Sequence, residues 1–368
     1  MKFLFVIDSL VSGGAQRLYI NLAKVFVQRG HAVEVFIYSP ENQFYDDEFV
    51  FSNIKVHVAD RPKSGFSWYV VKQLRQVVRV GVYDGVLSIL HAPSIYAALG
   101  TLGLKSGKLA VWEVSSSIAP VKKMKRFLFY LATLAADSVV TNTHNEANIM
   151  RRQLGLGNKT TAVWNGYDLD VFEQRERLDN REIEQLLIVG RIAYPKNGVN
   201  LLKGLGLFLS RNNWLPKVVW AGRNETDQKS RLMQQEMDQY LAENPGVAEK
   251  FLRVGEVKNI NELYSKSDAL ILVSIYEGLP NVICEAMLIG CPVIASNVCE
   301  HPEVLGKNEE RGLLCDPYSP ASICDAIERF SKMSVVERGE LAKKSRHFAE
   351  TNFEVGHMAE KFEHLFGS

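Results

Sequence analysis

Cysteine is absent from the first 283 residues of this 368-residue chain; all five cysteines lie between Cys284 and Cys324, and no two form a C-x-x-C pair. An odd number without ligand spacing excludes a disulfide frame and a zinc knuckle, and it is the usage expected of reduced thiols in a cytoplasm. An excess of one charge sign is lacking too: 43 Lys and Arg stand against 42 Asp and Glu, for a net charge of +1. No global field for nucleic acid or another polyanion is therefore implied, and no nucleic-acid partner is expected. No run of about 18 apolar residues occurs, which excludes a membrane-spanning helix. The apolar start is broken at Asp8 and is too short for a signal peptide. The dinucleotide fingerprint Gly-x-Gly-x-x-Gly is missing, which weakens a dehydrogenase reading. No period of 20–50 residues repeats, so a solenoid is excluded.

What is present is an ordinary soluble composition, 46% hydrophobic and 23% charged, in a chain long enough for two cores. Strand and helix patterns alternate twice over. In the first half, an apolar strand at 2–8, Gly13-Gly14, a helical pattern at 16–28 and a strand at 32–38 make a βαβ unit. Asn165-Gly166 turns the chain, the polar stretch 167–182 reads as a linker, and a strand at 184–190 restarts the alternation. The fold class is α/β. The expected division is 1–170 and 171–350, with a separate terminal helix in 351–368.

The chain is organised around 269–297. An apolar run at 269–273 reads as a buried parallel strand, and a loop at 274–280 carries Gly278, Leu279 and Pro280. Asn281 is placed to cap a helix at 282–289, and Gly290 and Pro292 end it before another strand. Ligands of open α/β sheets bind beyond the carboxyl ends of the strands, where this loop lies. Glu277 sits in the loop and Glu285 in the helix, among Val282, Ile283, Cys284 and Ala286; the helix is apolar on all sides and is expected to be buried. A carboxylate in so apolar a helix needs a hydrogen-bonding partner, and no Arg or Lys lies within helical reach. Sugar hydroxyls would satisfy it, while the amides of 279–283 at the helix start suit phosphate. The plainer reading is a glutamate that meets the helix dipole or a distant arginine. Arg191, directly after the strand at 184–190, and Lys196, five residues later, precede another helix. Two cations there suit a diphosphate; a solvated charged loop is the alternative.

The stretch Glu277-Gly278-Leu279-Pro280-Asn281-Val282-Ile283-Cys284-Glu285, continuing through Gly290 to Pro292-Val293, resembles the donor-site motif of retaining glycosyltransferases of the GT-B fold, family 4. The resemblance implies two Rossmann-like parallel-sheet domains facing a cleft, with a C-terminal helix crossing back to the first. It implies a nucleotide-sugar substrate, with UDP the expected nucleotide. Glu285 would take the ribose, Glu277 would face the donor sugar, and backbone amides would hold the diphosphate beside Arg191 and Lys196. Gly14 would approach that diphosphate from the first domain, with Gly13 on the acceptor side, and Val257 would line the nucleobase. The family's lysine is usually followed directly by glycine, where this chain has Asn197. Its reaction is a same-face substitution in which the leaving phosphate accepts the acceptor's proton. Domain closure would exclude water.

One departure concerns the acceptor. Many members carry a histidine where this chain has Val114, leaving Glu113 and His91 as candidates on the acceptor side. Residues 120–136 set Lys122, Lys123, Lys125 and Arg126 beside Phe127, Phe129 and Tyr130. Such a helix is either a solvated basic face or one that lies on an anionic membrane. With the family in view, the expected acceptor is an undecaprenyl-diphosphate-linked saccharide in surface glycan assembly. The expected location is cytoplasmic, peripheral on the inner face of the membrane. Asp168-Leu169-Asp170 is formally a metal–diphosphate D-x-D, but it sits at the domain boundary; no metal and no cofactor are expected. The competing functions are a UDP-sugar 2-epimerase on the same fold and a nucleotide-binding partner subunit without catalysis.

Overall fold

A computed structural model describes residues 1–11, 14–40, 54–59, 65–105, 107–114, 123–173 and 182–367. The chain forms two compact units. The first comprises Met1–Asp168 with Phe353–Ser368, and the second Leu169–Asn352.

The first unit is a seven-stranded parallel sheet. In chain order its elements are β1 (Lys2–Val6), α1 (Gly14–Gln28), β2 (Ala32–Ile37), β3 (Lys55–Val58), α2 (Trp68–Gly81), β4 (Gly85–Ile89), α3 (His91–Thr101), β5 (Lys108–Glu113), α4 (Lys123–Ala135), β6 (Ser138–Thr141), α5 (His144–Gln153) and β7 (Thr160–Ala162). The strand order is β3-β2-β1-β4-β5-β6-β7, a doubly wound sheet that reverses at β1. The apolar run of β1 is explained by its place at the centre. Phe3 and Phe5 enter one core, Leu4 and Val6 the other, and all four are fully buried. A last helix, Val355–Gly367, closes the first of these cores. Its Phe366 ring lies 5.1 Å from Phe3, and Phe362 lies 4.8 Å from Trp112. A Cβ on Gly85 would come within 2.5 Å of the Phe366 ring, so the helix seats where β4 lacks a side chain.

The second unit repeats the winding with six strands. Its elements are β8 (Gln185–Val189), α6 (Gly198–Asn212), β9 (Lys217–Ala221), α7 (Gln228–Glu243), α8 (Pro245–Ala248), β10 (Phe251–Gly255), α9 (Ile260–Lys266), β11 (Ala269–Leu272), α10 (Asn281–Ile289), β12 (Val293–Ser296), α11 (His301–Leu305), β13 (Leu313–Cys315), α12 (Pro320–Lys332) and α13 (Val335–Asn352). The order β10-β9-β8-β11-β12-β13 reverses between β8 and β11. The loops that follow these two strands carry Arg191, Lys196 and Glu277, so the topology itself gathers them.

Two local expectations are corrected. Asn281 is not a cap but the first helical residue; Pro280, with φ −76° and ψ 113°, holds the cap position and no side chain caps it. Proline's fixed φ sets the entry of this helix. The helix is also not buried on every side: Asn281, Val282 and Glu285 are partly exposed, while Ile283, Cys284 and 286–289 are buried.

Candidate functional site

The site is built on the carboxyl ends of β8 and β11. After β8 the chain makes one 3-10 turn, Tyr194–Lys196, and α6 follows. Asn197 joins them with φ 60° and ψ 40°, a left-handed conformation that asparagine adopts more readily than most side chains. Its side-chain amide donates to the Val273 carbonyl at 3.1 Å and the Pro317 carbonyl at 2.6 Å. Asn197 thus ties the β8 turn to the end of β11. A second tie is the Ile275 amide, which donates to the Pro195 carbonyl at 2.8 Å.

Across that junction Lys196 Nζ meets Glu277 Oε1 at 2.5 Å, with both side chains mostly buried. The Ser274 hydroxyl donates to the same oxygen at 2.8 Å. Burial pushes the Glu277 carboxyl up, but Lys196 and Ser274 outweigh it and hold it below the usual carboxylate range. Glu277 is therefore an anion at neutral pH. Arg191 does not join this pair. Its guanidinium is largely exposed and bonds Glu225.

Glu285 lies in the second turn of α10. Its carboxylate takes a hydrogen bond from the Tyr264 hydroxyl at 3.1 Å. Burial raises the Glu285 carboxyl above its ordinary value, and the Tyr264 bond opposes that rise only in part. At the start of α10 the Ile283 and Cys284 amides both point back to the Pro280 carbonyl, at 3.0 and 3.4 Å. Asn281 and Val282 are the first two residues of α10, so their amides lie at the positive end of the helix dipole. Val257 follows β10 and is exposed.

In the first unit Gly14 opens α1; Gly13 lies outside the described residues. His91 opens α3, and its Nε2 meets Glu113 Oε2 at 2.5 Å, with the Glu113 side chain 2% exposed. The His91 ring also rests on Phe129, centroids 4.3 Å apart. A buried carboxylate that orients an imidazole is thus the arrangement adopted by these two residues. Val114 is half-buried against the core. On α4, Lys123, Lys125 and Arg126 are exposed together with Met124, Phe127, Leu128, Leu131 and Leu134, while Phe129, Ala132 and Thr133 are buried. Lys122 lies outside the described residues. No helix among the described residues is long and apolar enough to cross a membrane.

Among the described residues, the group of potential metal ligands that converge is Cys324, Asp325 and Glu328 on α12. Arg211 already bonds Asp325 at 2.7 Å, and neither Asp168 nor Asp170 belongs to such a group. Sequence reasoning missed Ser274 and Tyr264. A serine three residues before Glu277 at a strand end was a usable signal for the first. Nothing in the sequence linked a tyrosine in the preceding helix to Glu285.

Residues 12–171 match the family model described as Glycosyltransferase Family 4, and residues 170–351 that described as Glycosyl transferases group 1. One relative is the GalNAc-alpha-(1->4)-GalNAc-alpha-(1->3)-diNAcBac-PP-undecaprenol alpha-1,4-N-acetyl-D-galactosaminyltransferase of Campylobacter jejuni, 26% identical over 98% of this chain and 97% of its own. Another is the amylovoran biosynthesis glycosyltransferase AmsD of Erwinia amylovora, 25% identical over 84% of each. Among solved structures, Anabaena HepE in complex with UDP and glucose aligns with a TM-score of 0.80 at 18% identity, covering 100% of this chain and 99% of that one. At that identity the likeness is one of fold.

Proposed function

From the premise that this chain belongs to the family 4, group 1 glycosyltransferases and has the GT-B fold, we propose that it transfers a hexose or N-acetylhexosamine from a UDP-sugar to a hydroxyl of an undecaprenyl-diphosphate-linked saccharide. The transfer retains the anomeric configuration, needs no metal and serves surface polysaccharide or glycan assembly. The observation that carries this reading is the Lys196–Glu277 pair beside the start of α10, with Glu285 one further turn along. The names of the relatives support the acceptor and the pathway class: one acts on an undecaprenol-linked saccharide, another in amylovoran biosynthesis. The UDP and glucose held by the Anabaena protein support the donor.

The bond that breaks joins the anomeric carbon to the diphosphate oxygen, and the bond that forms joins that carbon to the acceptor oxygen. The acceptor's proton passes to the leaving phosphate oxygen. Negative charge grows on the diphosphate, and Lys196, Arg191 and the amides at the start of α10 supply positive charge there. Glu277, kept anionic by Lys196, orients the donor sugar. Glu285 accepts from the ribose hydroxyls. In the first unit His91, oriented by Glu113, is the candidate group for the acceptor hydroxyl, in a chain that carries Val114 at the family's histidine position. The α4 face lies on the membrane, with its apolar side chains at the headgroup boundary and Lys123, Lys125 and Arg126 toward anionic lipid. The protein then works as a peripheral enzyme on the cytoplasmic side.

Calorimetric titration with UDP, GDP and NAD in the presence of EDTA tests the donor. Binding of UDP alone is the expected result, and preference for GDP changes the donor. Transfer from UDP-sugars to lipid-linked acceptors is then assayed with anomeric analysis of the product. Product formed without acceptor would identify an epimerase; UDP binding with no turnover on any acceptor would identify a non-catalytic subunit.

A further inference from the structure

Glu285 is held by a side chain from another element. Tyr264, in α9, is fully buried, and its hydroxyl lies 3.1 Å from Glu285 Oε2 and 3.2 Å from the Val282 carbonyl oxygen. Both neighbours are acceptors and the hydroxyl has one proton, so it donates to one of them at a time. An ionised carboxylate is the stronger acceptor. Among the described residues no cation forms an ion pair with Glu285. The other titratable groups around the buried end of this helix are the Cys284 and Cys291 thiols, and Arg346 of α13, which is committed to the Leu288 carbonyl and to Glu350. The adjoining strands β11 and β12 contribute apolar side chains and Ser296, whose hydroxyl is bonded to the Ser274 carbonyl.

We propose that Tyr264 is a positioning residue for Glu285: its hydroxyl occupies one carboxylate oxygen, favours the charged form as a hydrogen-bond donor and leaves the other oxygen for the vicinal hydroxyls of the nucleotide ribose. The inference rests on the nucleotide site proposed above. Burial disfavours the Glu285 anion, and the phenol is the side chain that opposes it. Tyr264 itself is held protonated, because burial and then the neighbouring carboxylate push its phenol well above the ordinary range. It donates across the whole working pH range.

The test is the pH dependence of UDP affinity, from pH 5 to 8, for the full chain and for Tyr264→Phe, Glu285→Gln and the double variant. UDP's own ionisation is common to all four. The wild type is expected to lose affinity on the acid side. Tyr264→Phe keeps the ring and moves that acid limb upward by about one pH unit, from the worth of a hydrogen bond to a charged group. The variant therefore binds UDP about tenfold more weakly at the acid end, and the deficit shrinks toward pH 8. In the Glu285→Gln background the same change produces no shift of the limb. An acid limb that coincides in wild type and Tyr264→Phe overturns the proposal, as does an equal loss in both backgrounds. If Tyr264→Phe does not fold, a difluorotyrosine at position 264, a stronger donor of the same shape, is expected to move the limb downward; an unmoved limb overturns the proposal. Absence of UDP binding by the wild type overturns the nucleotide site itself, and with it this role.

Discussion

Lys196 Nζ and Glu277 Oε1 are 2.5 Å apart although 81 residues separate them in the chain. The contact joins the loops after β8 and β11, the two strands between which the second sheet reverses direction. It fixes two functional properties together. The carboxylate stays charged in a buried setting, and the ammonium is held against the loop between β11 and α10. In the proposed reaction the donor diphosphate would meet a lysine whose position is already set, with little left to reorganise.

Glu277→Gln removes the charge and keeps the shape. We expect turnover to fall by about a hundredfold or more while UDP affinity changes by less than about threefold. Steady-state kinetics beside calorimetry separates the two. An equal loss in both assigns Glu277 to nucleotide binding instead.

Lys196→Ala leaves Glu277 with Ser274 as its side-chain partner. Because the Glu277 carboxyl is held below its ordinary value in the folded chain, the pair stabilises the protein at neutral pH. That contribution is lost as the pH falls through the lowered value. The variant should be less stable than wild type by about 1–3 kcal/mol at pH 7, with the gap closing below the ordinary carboxylate range. Urea unfolding at pH 7 and at about pH 2.5, below the ordinary carboxylate range, measures it, and a gap that does not depend on pH rejects the charge argument. UDP affinity should fall as well.

Glu285→Gln should do the opposite to stability. A carboxyl raised above its ordinary value stabilises the fold in its protonated form, and that contribution disappears as the pH rises through the folded value. The variant is therefore expected to melt slightly higher than wild type at pH 8, with the advantage fading toward pH 5. UDP affinity falls at least about tenfold, so the rise in melting temperature that UDP gives wild type is lost. Thermal unfolding with and without UDP reads both effects.

Gly190→Ala tests the path of the lysine. Gly190 has φ +132°, and a Cβ there would sit 3.0 Å from Lys196 Cε. Backbone strain of about 1–3 kcal/mol and a displaced ammonium are expected together. The measurement is a lower melting temperature accompanied by weaker UDP binding. Full UDP affinity in a destabilised variant would separate the strain from the site.

Lys125→Glu with Arg126→Glu should weaken binding to anionic vesicles, read by sedimentation, by at least about thirtyfold, given roughly 1 kcal/mol for each basic side chain near the surface. Phe127→Glu should reduce it further and leave UDP binding unchanged. Vesicle binding that is unaffected by either variant makes α4 a solvated face of the first unit.

The alternation of apolar runs with helical patterns was readable because parallel strands covered on both faces carry few polar residues, as β1 and β11 show. Glu277, Glu285, Arg191 and Lys196 were readable because strand ends and helix starts punctuate the chain on either side of them. The cap was misread because Asn281 and Pro280 stand side by side, and proline's fixed φ decided which one ends the loop. The bonds of Tyr264 to Glu285 and of His91 to Glu113 were not readable, since each spans more than twenty residues and carries no period.

The sequence by itself determined the strand–helix alternation, the two windings and the residue types at the loop ends, because these follow from local burial pattern and punctuation. Only the tertiary structure decided which charges are partnered. Lys196 serves Glu277, Arg191 turns instead to Glu225, and Tyr264 serves Glu285. Those pairings depend on strand order and on angstrom-scale placement of side chains from distant elements. A hydrogen bond responds to that placement, and a pattern of residue types along one chain does not encode it.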